Sequence, residues 1–213
     1  MKFMVTGAGG ALGAATAALL DRQGHEVARI VRNSPSQDPR TIACEDLADT
    51  QSAERSVGAA VKALGSLDGV LHMAGAFDWR PVAHSDATLW QALFRKNLET
   101  TLAVVKATLP CLGAGGAIVT IGAAAAEPSG AGMAPYAASK SAVAKLTQSL
   151  AAELDEGRIR ITPCCLPSST RRPIGAPCRM RIHRAGPIPT PSRKWRPSWC
   201  RLPPAPYMAP LSR

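Results

Sequence analysis

The sequence predicts an α/β fold built on a doubly wound parallel sheet with helices on both faces. Three observations predict it. Short β-branched or apolar runs alternate with Ala-rich stretches of helical spacing, a glycine-rich turn follows the first such run, and 213 residues suffice for one domain with a sizeable core but not for two. Residues 3–6 read as the first strand, and Leu12, Ala15 and Leu19 then recur at helical spacing until Gly24 ends the helix. Residues 26–31 and 41–44 read as the second and third strands, followed by a helix over 52–64. The fourth strand is 69–72, a long helix covers 88–109 and stops at Pro110, the fifth strand is 117–121, and a last helix covers 135–156.

Charge divides the chain. The net charge of +10 arises in 161–213, which holds 10 basic residues, no acidic residue and 12 of the 18 prolines, whereas residues 1–160 hold 15 of each sign. The expected organisation is a folded domain over 1–160 and a basic, Pro-rich, disordered tail over 161–213, because prolines this dense sustain neither helices nor a central strand. A folded portion without charge excess gives no ground for a nucleic-acid or membrane partner. The tail has an alternative reading as a binding arm for either, although its charges are spread and Cys164, Cys165, Cys178 and Cys200 lie among them. With Cys44 and Cys111 they show neither CxxC nor His-paired spacing, so no metal and no disulfide framework are expected. No run reaches membrane-spanning length and no cleavable leader pattern opens the chain, so the expected compartment is the cytoplasm.

Residues 6–13, TGAGGALG, directly follow the first strand. A glycine turn between strand and helix lets backbone approach a pyrophosphate, with the N–H groups and positive dipole end of the helix facing it. The spacing GxGxxG fails, since Leu12 stands where its third glycine belongs. The spacing TGxxx[G/A]xG fits, with Gly7, Ala11 and Gly13 in the defining positions and Gly9, Gly10 and Leu12 completing the loop. An acidic residue for the adenosine ribose should end the second strand, but none lies between Val27 and Gln37. Val31 and Arg32 stand there instead. Arg32 either binds a 2′-phosphate, which favours NADP with NAD as the alternative, or is a solvated loop cation, and Arg29 is a less well placed competitor.

Tyr136 and Lys140 lie in YAASK, and their i, i+4 spacing puts both on one helical face. A free tyrosine titrates near pH ~10, too high for easy proton exchange at neutrality. A neighbouring ammonium and a positive nicotinamide ring would both favour the phenolate, fitting the phenol for general acid/base work during hydride transfer.

On these motifs, residues 1–160 resemble the classical short-chain dehydrogenases/reductases. The resemblance implies a Rossmann-like NAD(P)-binding domain, an oxidoreductase activity on a small-molecule substrate, and a homo-oligomer whose interface elements are missing here, the usual last strand and helix being absent. It also implies roles for further residues. Asp46, followed by Leu47, matches the Asp that contacts adenine; Ala74 and Gly75, in the sequence HMAG, occupy the NNAG position at the cofactor; Asn97 matches the asparagine that holds a water in a proton relay; and Lys140 would also hold the cofactor ribose. One departure stands out. The serine that binds the substrate carbonyl is replaced by Ala123, and neither Thr120 nor Ser129 is a convincing substitute. The stretch from Gly122 through the YAASK helix is similar to the dihydropteridine reductase branch, which carries the same alanine, so a pterin-like substrate stands beside a simple carbonyl, and a non-catalytic dinucleotide-binding protein beside both.

The tail departs from the family altogether. Restoring one base before the codon of Thr162 permits Asn-Ala-Val-Leu-Pro-Ser-Ile-Ile-Asp-Thr-Pro-Ala, the pattern of the family's sixth strand and substrate loop. A frameshift after about Ile161 is the expectation.

Overall fold

The computed structural model describes residues 1–33, 37–123, 126, 129–154 and 159–166. Six strands form one parallel sheet: β1 Lys2–Thr6, β2 Glu26–Val31, β3 Thr41–Ala43, β4 Leu67–His72, β5 Leu112–Ala123 and β6 Arg160–Leu166, in the order β3-β2-β1-β4-β5-β6. From β1 the chain adds β2 and β3 on one side and β4, β5 and β6 on the other. That reversal of winding makes the sheet doubly wound and opens a crevice beyond the carboxyl ends of β1 and β4. The central strand β1 is buried from Phe3 to Thr6, the signature of a strand covered on both faces.

Helix α1, Ala11–Arg22, buries Gly13, Thr16, Ala17 and Leu20. This face differs from the expected one of Leu12, Ala15 and Leu19. Gly13 sets it: a Cβ there would lie 2.2 Å from the Gly7 carbonyl oxygen, so the helix rests its glycine face directly on the loop backbone. Helix α2, Thr50–Leu64, starts two residues before the expected position because the Asp49 side chain accepts from the Ser52 N–H at 2.8 Å, and it ends on left-handed Gly65.

The expected long helix is three segments in line: α3 Ala87–Phe94, a π turn over Arg95–Glu99, and α4 Thr100–Thr108. The inserted residue of a π turn bulges the helix, a form that recurs at functional sites. Asn97 is its centre. Helix α5, Ala134–Leu154, carries the YAASK sequence.

Strand β6 corrects the reading of 161–166 as unstructured tail. It pairs with β5 along its length, from Ala117 opposite Arg160 to Ala123 opposite Leu166, and Ile161 is buried in the core with Ile118 and Leu150. Pro163 is accommodated because β6 stands at the end of the strand order, where a missing N–H is tolerated. Residues 167–213, in which the expected disorder and any further strand and helix would fall, lie outside the described residues.

Candidate active site

The loop after β1 begins with Gly7 in a left-handed conformation, φ 65°. A Cβ on Gly7 would stand 2.8 Å from the backbone of Ala74, so the turns that follow β1 and β4 touch and only glycine fits between them. Gly10 caps α1 with its backbone alone: no side chain bonds the first-turn N–H groups and no acidic residue occupies that turn. A Cβ on Gly9 would lie 3.8 Å from the Val31 side chain. Open, uncapped N–H groups beside small residues are the donor set an anion such as a pyrophosphate needs, so the chain's own backbone fits a dinucleotide.

The crevice is a cleft of about 460 Å³ whose walls include Gly7, Val31, Arg32, Asp46, Ala74 and Gly75. Arg29, the competitor of Arg32, is committed elsewhere, ion-paired to Asp21 and donating to the Val27 carbonyl at 3.1 Å. Asp46 accepts from the Ala48 N–H at 2.8 Å and from Arg95 at 2.5 Å, and these bonds hold its carboxyl below the usual carboxylate range. Arg95 and Lys96 also line the cleft.

Next to Gly75, Asn97 is buried and its side chain makes three hydrogen bonds: Oδ1 accepts from the Ala76 N–H at 2.8 Å, while Nδ2 donates to the Ala76 carbonyl at 3.0 Å and to Ser139 Oγ at 2.8 Å. Ser139 Oγ in turn donates to the Tyr136 carbonyl at 2.7 Å. Lys140 Nζ donates to the Ile121 carbonyl at 2.9 Å. A Cβ on Gly75 would lie 2.8 Å from Asn97 Oδ1 and 3.3 Å from Lys140 Nζ, so these groups converge on Gly75. The structure thereby brings Asn97, Tyr136 and Lys140 to the carboxyl ends of β4 and β5.

The expected lowering of the tyrosine is not what this geometry produces. Burial pushes the Tyr136 phenol up, and burial also lowers the Lys140 ammonium to about 8. The Tyr136 ring is stacked edge-on against Phe77, centroids 4.8 Å apart, while the ammonium is turned to a carbonyl. Desolvation dominates both groups.

Two features went unread in the sequence. His72, at the place of the family's first asparagine in NNAG, is 1% exposed and lies between Thr6 Oγ1, 2.8 Å from Nδ1, and Thr100 Oγ1, 3.4 Å from Nε2. The Thr100 hydroxyl donates to the Lys96 carbonyl, which leaves its oxygen to accept from Nε2–H and makes Nδ1 the acceptor for Thr6. Burial, with Lys140 as a lesser cause, lowers His72 to about 3, so the ring is neutral. Ser139 was also missed, although it stands inside YAASK, because a serine on a helix carries no signal of its partner. Thr120 is buried against Thr147 Oγ1 at 3.0 Å, and Ser129 is exposed, bridging to Ala126.

Residues 2–176 match the family model described as short chain dehydrogenase. The chain belongs to the short-chain dehydrogenase family. Among its relatives are an uncharacterized NAD-dependent oxidoreductase of Mycobacterium tuberculosis, 32% identical over 140 residues covering 64% of this chain and 51% of that protein, and the trans-4-hydroxycyclohexanecarboxylate dehydrogenase of Sinomonas cyclohexanicum, 33% identical over 132 residues covering 62% and 51%. The chain spans about half the length of these two relatives. A short chain dehydrogenase from Burkholderia cenocepacia, solved in complex with NADP, superposes with a TM-score of 0.69 at 28% identity, covering 76% of this chain and 71% of that one. Among the described residues, no helix is long and apolar enough to cross a membrane, and no cluster of residues could hold a metal ion.

Proposed function

We propose that this chain is an NAD(P)-dependent oxidoreductase that transfers a hydride between the nicotinamide cofactor and a carbonyl substrate. The observation that carries the reading is the convergence of Asn97 and Lys140 on Gly75, which lines the same cleft as Gly7 of the glycine loop, with Ser139 bonded to Asn97. The nicotinamide, when bound, supplies or accepts the hydride. Gly7, Gly9, Gly10, Ala11, Leu12 and Gly13 present backbone to the pyrophosphate, and Asp46, Ala74 and Gly75 line the nucleoside. Lys140 holds the ribose, and its charge, added to that of an oxidised ring, offsets the burial that raises Tyr136. Tyr136 Oη then gives its proton to the substrate oxygen or takes it back, and Asn97 holds the water that refills it.

NADP is the favoured cofactor, on the strength of Arg32 in the cleft wall and the absence of an acid at the end of β2. Titrating the full chain with NADPH and NADH by cofactor fluorescence, for the parent and Arg32→Ala, tests both parts. NADPH should bind more tightly and lose that advantage in the variant, and turnover of a carbonyl panel should vanish in Tyr136→Phe.

Ala123 favours a second reading, a dinucleotide-binding protein without catalysis, since Thr120 is tied to Thr147 and cannot replace the missing hydroxyl. Binding of NADPH with no turnover of any carbonyl or pterin would select it. A quinonoid pterin is the substrate class in which that alanine is least harmful. The partner is a small molecule and the compartment the cytoplasm; the family is usually homo-oligomeric, through late elements that the sequence is expected to lack. A frameshift after Ile161 is supported by the family-like codons that one restored base permits, and sequencing the gene across that codon tests it.

A further inference from the structure

We infer that Phe77 and Trp79 form an aromatic wall for the substrate, so that the carbonyl compound handled by Tyr136 carries an apolar ring. The inference rests on the hydride-transfer reading and names its substrate class. The large hydrophobic side chains exposed among the described residues are Met1, Phe77, Trp79, Val82 and Leu102, and three of these five fall in 77–82, just after Gly75. Phe77 is 62% exposed and Trp79 57%. Neither is loose. The Phe77 ring packs edge-on against Tyr136 at 78°, centroids 4.8 Å apart. Trp79 Nε1 donates to the Ala131 carbonyl at 3.0 Å, and the Arg80 N–H donates to the Gly132 carbonyl at 2.7 Å. Gly132 is left-handed, φ 75°, and a Cβ there would strike the indole at 2.4 Å, so the turn before α5 is shaped to receive this ring.

An indole clamped by its polar edge and by a glycine, with much of its apolar surface in water, is preorganised binding area that needs no further ordering when a ligand arrives. Its neighbour touches the ring of the proton donor itself. A ring-bearing substrate placed on Phe77 would therefore set its carbonyl within reach of the Tyr136 hydroxyl, and the wall would supply orientation that Ala123 does not.

The test uses the full chain with NADPH and two probes, acetophenone and butanone. The parent should reduce acetophenone with a kcat/KM about tenfold or more above that for butanone, a discrimination within reach of a hydrophobic pocket. Phe77→Ala and Trp79→Ala should each erase most of that ratio, and Trp79→Phe, which keeps a ring, should retain it. Equal efficiency toward both probes, or variants that lower both alike, overturns the inference. Saturation-transfer NMR on the NADPH-saturated chain separates the two readings. Acetophenone that binds to the parent but not to Phe77→Ala, with no turnover, keeps the wall and removes hydride transfer; acetophenone that fails to bind, or binds both equally, removes the wall.

Discussion

Asn97 Nδ2 donates to Ser139 Oγ across 2.8 Å, tying the π turn to helix α5 one residue from Lys140. The bond is buried, and the Ser139 hydroxyl in turn donates to the Tyr136 carbonyl. Asn97→Ala should destabilise the chain by about 2–4 kcal/mol, because it strands the Ala76 N–H and carbonyl together with Ser139. Ser139→Ala should cost about 1–2 kcal/mol, since only Asn97 Nδ2 loses a partner and it keeps the Ala76 carbonyl. Urea denaturation of the two variants checks the order; equal losses would show that the π turn does not depend on Asn97.

Gly13→Ala should be more damaging than its size suggests. Its Cβ would meet the Gly7 oxygen at 2.2 Å, backbone that cannot yield without moving the loop off Ala74. A loss of about 1–3 kcal/mol of stability and a clear weakening of NADPH binding are expected. Gly58, with open space around it, is the control: Gly58→Ala, at an exposed position of α2, should leave binding unchanged and gain stability.

Tyr136→Phe should lower kcat by about 10²–10⁴-fold while leaving NADPH affinity within a few-fold of the parent, as loss of a general acid does. Since Lys140 titrates near 8 before cofactor binds, its ammonium is lost as the pH rises through that value. NADPH affinity should fall above about pH 8 for the parent, and Lys140→Arg, always charged, should move that fall upward. An affinity flat to pH 10 in the parent would remove Lys140 from the ribose site.

His72 makes the fold acid-sensitive. Its pKa drops from 6.5 to about 3 on burial, so between those values the unfolded chain binds a proton that the folded chain does not. Stability contributed by the neutral ring is complete above pH 6.5 and is lost as the pH falls toward 3, at up to about 1.4 kcal/mol per pH unit. His72→Asn should flatten this slope. Thermal melts of the two proteins at pH 7 and pH 5 would read it as a smaller difference in Tm for the variant.

Much of the sheet was legible in the sequence, because buried parallel strands carry short continuous apolar runs such as residues 3–5, flanked by the polar Lys2 and Thr6. The buried face of α1 was not, since it is set by a tertiary collision at Gly13 that periodicity cannot express. Strand β6 was hidden by composition: Pro163 and two cysteines argue against a strand, yet pairing to β5 and the burial of Ile161 outweigh that local preference. At the site, the loop glycines, Tyr136 and Lys140 were readable from fixed spacings. The partners His72, Ser139 and Arg95 were not, for each meets residues far away in sequence: Thr6, Asn97 and Asp46.

The bare Gly10 cap of α1 has a consequence for the free protein. A helix whose first turn is left without a side-chain acceptor is unfinished, and under the proposed function the group that would finish it is the pyrophosphate. The nucleotide then serves as a removable residue of the fold: saturating it at about 100 times its dissociation constant should add about 2.7 kcal/mol to the unfolding free energy, so the concentration of cofactor in the surroundings becomes a determinant of how long the chain survives folded.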